Sequence, residues 1–268
     1  MKFGEQSLFT WKEMVPYSKA NNKERKQSMR IAFISDIHGN AVALDAVLED
    51  ISKKKIDKIF VLGDICYRGP EPKRSLELVR SLHTEVIKGN ADEWVVRGVR
   101  EGEVPDKALN LMNQERDWIV SKLDQTELAF LESLPTTIET EIEGVSVNAF
   151  HATPESLFDV VLPDASDDAI RTKLMINEGA SLYVYGHIHK PYIRFVEGKI
   201  IMNIGSVGLP FDGMAKASYG LVEIQESTIQ TSIQRVGYDL ERVIHLYQQA
   251  GYPNAEMMSK VVRLGKLS

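Results

Sequence analysis

The stretch RIAFISDIHGN, residues 30–40, decides the fold. Four apolar residues at 31–34 run without a break, and polar residues that include Asp36 and His38 follow at once. Such a run predicts a buried strand, and α/β proteins place their chemistry at the carboxyl ends of strands. Asp36 and His38 can both face one point, where a carboxylate oxygen and an imidazole nitrogen suit a divalent metal ion. The pair alone is weak evidence, because Asp and His also cap many helices.

The composition is that of an ordinary globular protein. The chain has 268 residues, 43% hydrophobic and 26% charged, and is long enough to bury a large core. A net charge of -6 disfavours dedicated nucleic-acid binding but is compatible with a small nucleotide or phosphate ligand. The single cysteine, Cys66, favours a reducing, cytoplasmic compartment. We predict neither a membrane span nor a signal peptide.

Residues 1–28 differ from the rest of the chain. The segment 21–28 is polar and mostly basic, and Met29 stands directly before the first predicted strand. We interpret residues 1–28 as an N-terminal extension of uncertain order and residues 29–268 as a single domain. The alternative is an apolar surface that docks on the body of the protein or on a second subunit, formed by Phe3, Leu8, Phe9, Trp11 and Val15.

Two further predicted strands also end in oxygen donors. The strand predicted at 58–62 is followed by Asp64, and the strand predicted at 84–88 is followed by Asn90. The interval from Asp36 to Asp64 fits one βαβ unit of roughly 30 residues. Parallel neighbouring strands would therefore place Asp64 beside Asp36.

The remaining chain alternates between helical and strand patterns. Helices are predicted at 42–52, at 76–82, over the segment 92–134, at 167–178 and, closing the chain, at 238–250. Strands are predicted on both sides of Gly144, at 181–185, at 192–196, at 199–203 and as a pair within 218–233. The segment 92–134 is expected to cover one edge of the sheet and to shape a substrate cleft.

Four of the six histidines directly follow apolar runs at predicted strand ends: His38, His151, His187 and His189. With Asp36, Asp64 and Asn90 they give seven candidate ligands, which is more than one tetrahedral ion needs and suits two ions that share a ligand. The shared ligand is expected to be a carboxylate, whose two oxygens can bind ions ~3.5–4 Å apart. Asp64, in the middle motif, is the candidate.

The order of these motifs resembles the calcineurin-like metallophosphoesterase superfamily. The motifs are Asp36-Ile-His38, Gly63-Asp64, Gly89-Asn90, His151 and Gly186-His187-Ile188-His189. The similarity runs from Met29 to about Gly213 and is greatest to the small bacterial and archaeal phosphodiesterase branch, which shares the Gly-Ser-Val-Gly segment at 205–208. The resemblance implies an α/β fold, an α+β four-layer sandwich in which helices flank two packed mixed β-sheets.

The resemblance also implies roles for the matching residues. One metal ion would take Asp36, His38, Asp64 and His189, and the other would take Asp64, Asn90, His151 and His187. A bridging water, acidified by both cations, would attack phosphorus in line. The expected catalytic residues are Asp36, Asp64, Asn90 and Arg68. Arg68 is expected to clamp the phosphate, and the alternative is that it is a solvated turn residue. Asn40 would orient a ligand, and the ligands suit manganese, iron or zinc.

One position departs from the family. Many members have Gly-Asn-His, in which the histidine donates a proton to the leaving group, whereas this chain has Ala91 followed by Asp92. A nucleotide phosphate leaves as a stabilised anion, but the alkoxide of a phosphoserine needs protonation. The change therefore favours phosphodiesters or phosphoanhydrides, such as diadenosine tetraphosphate, over phosphoprotein monoesters. Asp92 or a metal-bound water would have to supply any proton that is needed.

The leading hypothesis is a two-metal phosphodiesterase or nucleoside-polyphosphate hydrolase that acts on a small phosphoester or nucleotide. One alternative is a phosphomonoesterase or protein phosphatase, and the other is a non-catalytic scaffold that keeps the fold. The presence of all seven ligands argues against the scaffold. We also expect a homodimer, from the branch resemblance and the apolar N-terminal segment.

Overall fold

The computed structural model describes residues 28–266. Its strands are β1 (Met29–Ile34), β2 (Lys58–Val61), β3 (Glu85–Val86), β4 (Thr137–Ile142), β5 (Val145–Phe150), β6 (Leu182–Tyr185), β7 (Tyr192–Val196), β8 (Lys199–Asn203), β9 (Ala217–Gln225) and β10 (Thr228–Val236). Its helices are α1 (Ala41–Lys53), α2 (Pro72–Ser81), α3 (Asn90–Arg97), α4 (Asp106–Val120), α5 (Gln125–Ser133), α6 (Asp167–Leu174), α7 (Leu240–Gln249) and α8 (Ala255–Leu264). Within the described part of the chain, every helix is too short or too polar to cross a membrane. Of residues 1–28, which we interpret as an extension, only Ser28 is among the described residues.

Two five-stranded sheets form the centre of the protein. The first has the order β10-β9-β1-β2-β3, in which β1, β2 and β3 are parallel and β9 runs antiparallel to both β1 and β10. The second has the order β4-β5-β6-β8-β7, with β5, β6 and β8 parallel and the two edge strands antiparallel. Both sheets are mixed, and each brings three parallel carboxyl ends to one edge.

Three apolar clusters divide the protein into four layers. One lies between the sheets, where Phe33 and Phe60 stack with ring centroids 5.1 Å apart. The second lies under α1 to α5, α7 and α8 on the outer face of the first sheet, and the third lies under α6 on the outer face of the second. Strand β1 is buried on both faces, which explains its unbroken apolar run. The four-layer α/β sandwich is confirmed.

Two elements are shorter than their sequence patterns predicted. The strand predicted at 84–88 keeps two residues. Ile87 N still donates to Val61 O on β2, and Lys88 N donates to Pro135 O in the segment before β4. Helix α6 ends four residues early, and the side chain of Asn177 then accepts from Gly179 N at 3.2 Å to form a turn. At the end of α6 a local hydrogen bond thus competes with the helix.

The helix predicted to close the chain is followed by another one. Helix α8 buries Met258, Val261 and Val262, which are spaced as on one helical face. Asn254 precedes the helix, and Gly265 ends it with a left-handed φ of 64°. The prediction that the helix at 238–250 closes the chain is therefore wrong, and the sequence contains the start, stop and periodicity of α8.

Candidate metal centre

All seven predicted ligands lie at the carboxyl ends of parallel strands. They are Asp36 and His38 after β1, Asp64 after β2, Asn90 after β3, His151 after β5, and His187 and His189 after β6. Each except His187 is at most 5% exposed. The two sheets therefore bring side chains that are far apart in sequence into one buried cluster.

The backbone turns sharply at five of these residues. Their φ angles are positive, at 55° for Asp36, 49° for His38, 55° for Asp64, 66° for His187 and 54° for His189. Positive φ costs a residue with a side chain on the order of 1–3 kcal/mol, and such residues concentrate at functional sites. Hydrogen bonds between the loops hold two of the turns, from Asp36 N to Gly63 O at 3.1 Å and from His38 N to Asp64 O at 2.9 Å.

Asp36, His38, Asp64 and His189 form the first ligand set. One ligand atom from each lies within 4.8 Å of the others. His38 Nε2 is 3.1 Å from His189 Nε2 and 3.5 Å from Asp64 Oδ2. His189 Nε2 is 3.0 Å from Asp36 Oδ1. The structure thus brings together the four residues predicted to hold one ion.

Hydrogen bonds on the far side of the rings fix the imidazole tautomers of this set. Nδ1 of His38 donates to Tyr67 O at 2.9 Å, and Nδ1 of His189 donates to Leu209 O. Nε2 of both rings then faces Asp36 Oδ1, which accepts no hydrogen bond. Burial and the neighbouring His189 lower the pKa of His38 to about 4, so this ring is neutral at pH 7. Two imidazole nitrogens that face a carboxylate oxygen fit a divalent cation.

Asp64, Asn90, His151 and His187 form the second ligand set. Asn90 Oδ1 lies 3.0 Å from His151 Nε2 and 2.9 Å from His187 Nδ1, and His151 Nε2 lies 3.5 Å from Asp64 Oδ2. His151 Nδ1 donates to Leu62 O at 2.7 Å, which turns Nε2 toward the centre. Burial lowers the pKa of His151, but the neighbouring Asp64 raises it by more, so that the pKa is about 10. A cation bound here takes the place of that proton.

Asp64 lies between the two sets. Its Oδ2 is 3.5 Å from Nε2 of both His38 and His151. Its Oδ1 accepts from Ala91 N at 2.8 Å. Burial alone would raise the pKa of Asp64, but His151 lowers it below its usual range, so the carboxylate is ionised. One oxygen is thus fixed by the protein and the other faces both ligand sets.

Asn40 contacts backbone groups near the candidate ligands. Its Oδ1 accepts from Ala43 N at 3.0 Å and caps α1, and its Nδ2 donates to Gly208 O at 3.0 Å. Gly208 N in turn donates to Asp36 O at 3.0 Å. The predicted orienting role of Asn40 would therefore operate through the Gly208 peptide.

Arg68 forms a partly buried ion pair. Its Nε lies 3.5 Å from an oxygen of Glu115, whose side chain is fully buried on α4. Burial lowers the pKa of Arg68 and Glu115 raises it more, so the guanidinium stays charged. Tyr247 Oη donates to Arg68 O at 2.6 Å. Arg68 is thus not a solvated turn residue, and its role as a phosphate clamp stays a prediction.

Neither residue after Asn90 offers a proton to the cleft. Ala91 is 1% exposed and packs in the apolar cluster under the helices. Asp92 is fully buried, and both of its carboxylate oxygens accept hydrogen bonds from backbone N–H groups. The suggestion that Asp92 replaces the family's proton donor therefore has no support in its contacts.

Two further side chains contact the candidate ligands. Ser206 Oγ donates to Asp36 O at 2.7 Å, and the ring of Phe211 stacks on His189 with centroids 4.2 Å apart. Ser206 lies in the segment that carried the family resemblance, so a signal existed for it. Nothing in the sequence indicates the partner of Phe211.

Comparison with known proteins identifies the family. Residues 29–227 match the model of the calcineurin-like phosphoesterase superfamily domain. "Uncharacterized protein MJ0912" of Methanocaldococcus jannaschii is 35% identical over 233 residues, which are 79% of this chain and 89% of that protein. A shorter match, 31% identical over 91 residues, covers 32% of this chain and 33% of "Bis(5'-nucleosyl)-tetraphosphatase, symmetrical" of Psychromonas ingrahamii.

A solved structure shows the same architecture. The crystal structure of a metallophosphoesterase from Sphaerobacter thermophilus has a TM-score of 0.71 and 27% sequence identity to this chain. The match covers 89% of this chain and 100% of that one. Motif order, fold and family model agree, and the chain belongs to the calcineurin-like phosphoesterase superfamily.

Proposed function

We propose that this chain is a hydrolase that uses two divalent metal ions to cleave phosphodiesters or phosphoanhydrides of nucleotide type, such as dinucleoside polyphosphates. One observation carries the proposal: Oδ2 of Asp64 lies 3.5 Å from a nitrogen of each ligand set. This one oxygen would be shared, rather than both oxygens of the carboxylate as expected from the sequence, because Oδ1 is held by Ala91 N. When bound, two such ions acidify a water between them and offset negative charge on phosphoryl oxygens. Manganese or iron is the proposed metal, with zinc as the alternative.

The charges of the ligands favour an anionic substrate. Among the seven ligands only Asp36 and Asp64 carry negative charge, because Asn90 is neutral and a metal-binding imidazole is neutral. Two carboxylates therefore leave two divalent cations with a positive surplus in a buried site. Electrostatic attraction is strong where water is excluded. A phosphoester anion is the complementary substrate.

The contacts of residues 91 and 92 support leaving groups that need no proton. Ala91 is buried, and the carboxylate of Asp92 is occupied by backbone N–H groups. A nucleoside phosphate departs as a stabilised anion, so a polyphosphate chain suits such a site better than a phosphoserine does. The name of the partly matching Psychromonas ingrahamii protein, a tetraphosphatase, supports the same substrate class.

The test uses metal-stripped protein to which manganese is added back. We expect Mn²⁺ to restore hydrolysis of bis-nitrophenyl phosphate and of diadenosine tetraphosphate, with little turnover of the nitrophenyl monoester. Asp64→Asn should abolish this turnover, because an amide cannot bridge two cations as a carboxylate does. The control is Asp45→Asn, which removes the same charge from a half-exposed position on α1, where Asp45 pairs with Arg74.

Two results would overturn the proposal. A strong preference for the monoester would indicate a phosphomonoesterase. Metal-loaded protein that hydrolyses none of the three compounds would favour the scaffold. The predicted homodimer and cytoplasmic location are not needed for either conclusion and stay predictions.

A further inference from the structure

We propose that Asp92 is a positioning residue that ties the loop after β2 to the loop after β3 and thereby sets the second ligand set. The inference rests on the metal centre of the proposed function. Asp92 Oδ2 accepts from Asp64 N at 2.7 Å and from Gly89 N at 2.9 Å, and Oδ1 accepts from Ile65 N at 2.9 Å. Three N–H groups from two loops thus converge on one fully buried carboxylate.

Helix capping accounts for only one of these three bonds. Asp92 is the third residue of α3, and an acidic side chain at this position commonly accepts from the N–H of the residue that precedes the helix, here Gly89. The bonds from Asp64 and Ile65 cross to the neighbouring strand, 28 and 27 residues away in sequence. Capping does not need them, so they point to a role between the loops.

The connection is reciprocal. Asp64 Oδ1 accepts from Ala91 N at 2.8 Å, while Asp64 N donates to Asp92. Each loop therefore provides a carboxylate for the backbone of the other. Asn90 lies between Gly89 and Ala91, which both take part in these bonds. The exchange fixes the position of Asn90 relative to Asp64 and leaves only Oδ2 of Asp64 facing the imidazoles.

The two loops are also too close for another group to take over this role. A Cβ at Gly63 would lie 2.3 Å from Gly89 N, and a Cβ at Gly89 would lie 2.1 Å from Asp64 Oδ1. The two backbones are therefore in close contact at Gly63 and Gly89. The carboxylate of Asp92 accepts hydrogen bonds from both loops at this contact.

Loss of Asp92 should affect the two ligand sets unequally. Asp64 and Asn90, the ligands joined by Asp92, both belong to the second set. The other ligands of the first set, Asp36, His38 and His189, make no hydrogen bond with Asp92 in the described part of the chain. The first set therefore keeps its geometry more fully when the bonds of Asp92 are lost.

Asp92→Asn is the most conservative test. Its NH2 group replaces one acceptor oxygen, so at least one of the three backbone N–H groups meets a donor. We expect the second Mn²⁺ to bind roughly 10–100-fold more weakly. The first should lose much less affinity, because of its four ligands only Asp64 contacts Asp92. Calorimetric titration of metal-stripped full-length protein measures both affinities. Glu93→Gln, the same charge change on the next residue, where the carboxylate pairs with Lys88 and Arg97, should leave both unchanged.

The inference is wrong if Asp92→Asn binds both ions like the wild type or weakens both equally. If this variant does not fold, amide hydrogen exchange on the metal-stripped wild type decides. The N–H groups of Asp64, Ile65 and Gly89 should exchange slowly without metal, and exchange at the rate of open loops would overturn the inference. Neither readout requires turnover, so an inactive wild type refutes the proposed function without deciding the role of Asp92.

Discussion

Replacing Gly89 by alanine tests whether the contact between the β2 and β3 loops controls the metal centre. Gly89 has a φ of -100°, which alanine adopts freely, so the effect of the change is steric. A Cβ at this position would lie 2.1 Å from Asp64 Oδ1 and 2.6 Å from Asp64 N. Because atoms in ordinary contact are ~3.5 Å apart, either the new Cβ or the Asp64 carboxylate must move by roughly 1.4 Å.

The carboxylate of Asp64 cannot simply rotate away. Its Oδ1 holds the N–H of Ala91, and its Oδ2 faces His38 and His151. A misplacement of about 1 Å costs on the order of 100-fold in catalysis. Overpacking costs about 1–3 kcal/mol of stability, which lowers the Tm of a chain of this size by roughly 2–12 °C. The loss of activity should thus be large and the loss of stability moderate.

The assay compares kcat/KM for bis-nitrophenyl phosphate, bound Mn²⁺ after gel filtration and the Tm of the metal-free protein. Gly237→Ala is the control, because a Cβ there has no heavy atom within 4 Å and the residue has no positive φ. We expect this control to match the wild type in all three measurements. Wild-type turnover and metal content in Gly89→Ala would refute the steric reasoning and the assignment of Asp64 as the shared ligand.

Two further predictions concern stability away from the metal centre. Glu115→Gln leaves Arg68 without its anion and should lower the free energy of unfolding by an amount near the lower end of ~3–5 kcal/mol, because Arg68 is only partly buried. Urea unfolding measures this. Glu256→Gln, which removes an exposed partner of Lys260, is the control and should leave the urea midpoint close to that of the wild type. The hydrogen bond from Arg97 lowers the pKa of Glu103 from 4.5 to about 2, so Glu103 stabilises the fold above pH 4.5 and this contribution disappears as the pH falls toward 2. The difference in urea midpoint between wild type and Glu103→Gln should be largest above pH 4.5 and should shrink as the pH falls toward 2. A difference that stays the same over this pH range would contradict the prediction.

The candidate ligands were predictable because each follows a run of apolar residues. The hydrophobic pattern predicts where a buried strand ends, and parallel strands bring their carboxyl ends to the same edge. Asp36, Asp64 and Asn90 needed only this reasoning, since β1, β2 and β3 pair in order. The histidines of the second sheet also follow apolar runs, but their division between the two ligand sets came from the family resemblance, because nothing local predicts that the two sheets pack face to face.

The contacts between loops were not predictable in the same way. Sequence places Asp92 two residues after Asn90 but does not give the direction of its carboxylate, and two of its three donors lie 28 and 27 residues away. Arg68 and Glu115 are separated by a turn, two helices and a strand, and no periodicity links them. Such partners are fixed by tertiary packing, which a single sequence does not encode in any local pattern.

Contacts within the protein position the candidate ligands. Five of them have positive φ, each at a cost on the order of 1–3 kcal/mol. Three apolar clusters and the hydrogen bonds between loops offset these costs. The residues that build the two sheets and join the loops therefore also determine where the candidate ligands lie, although they need not bind a metal ion themselves.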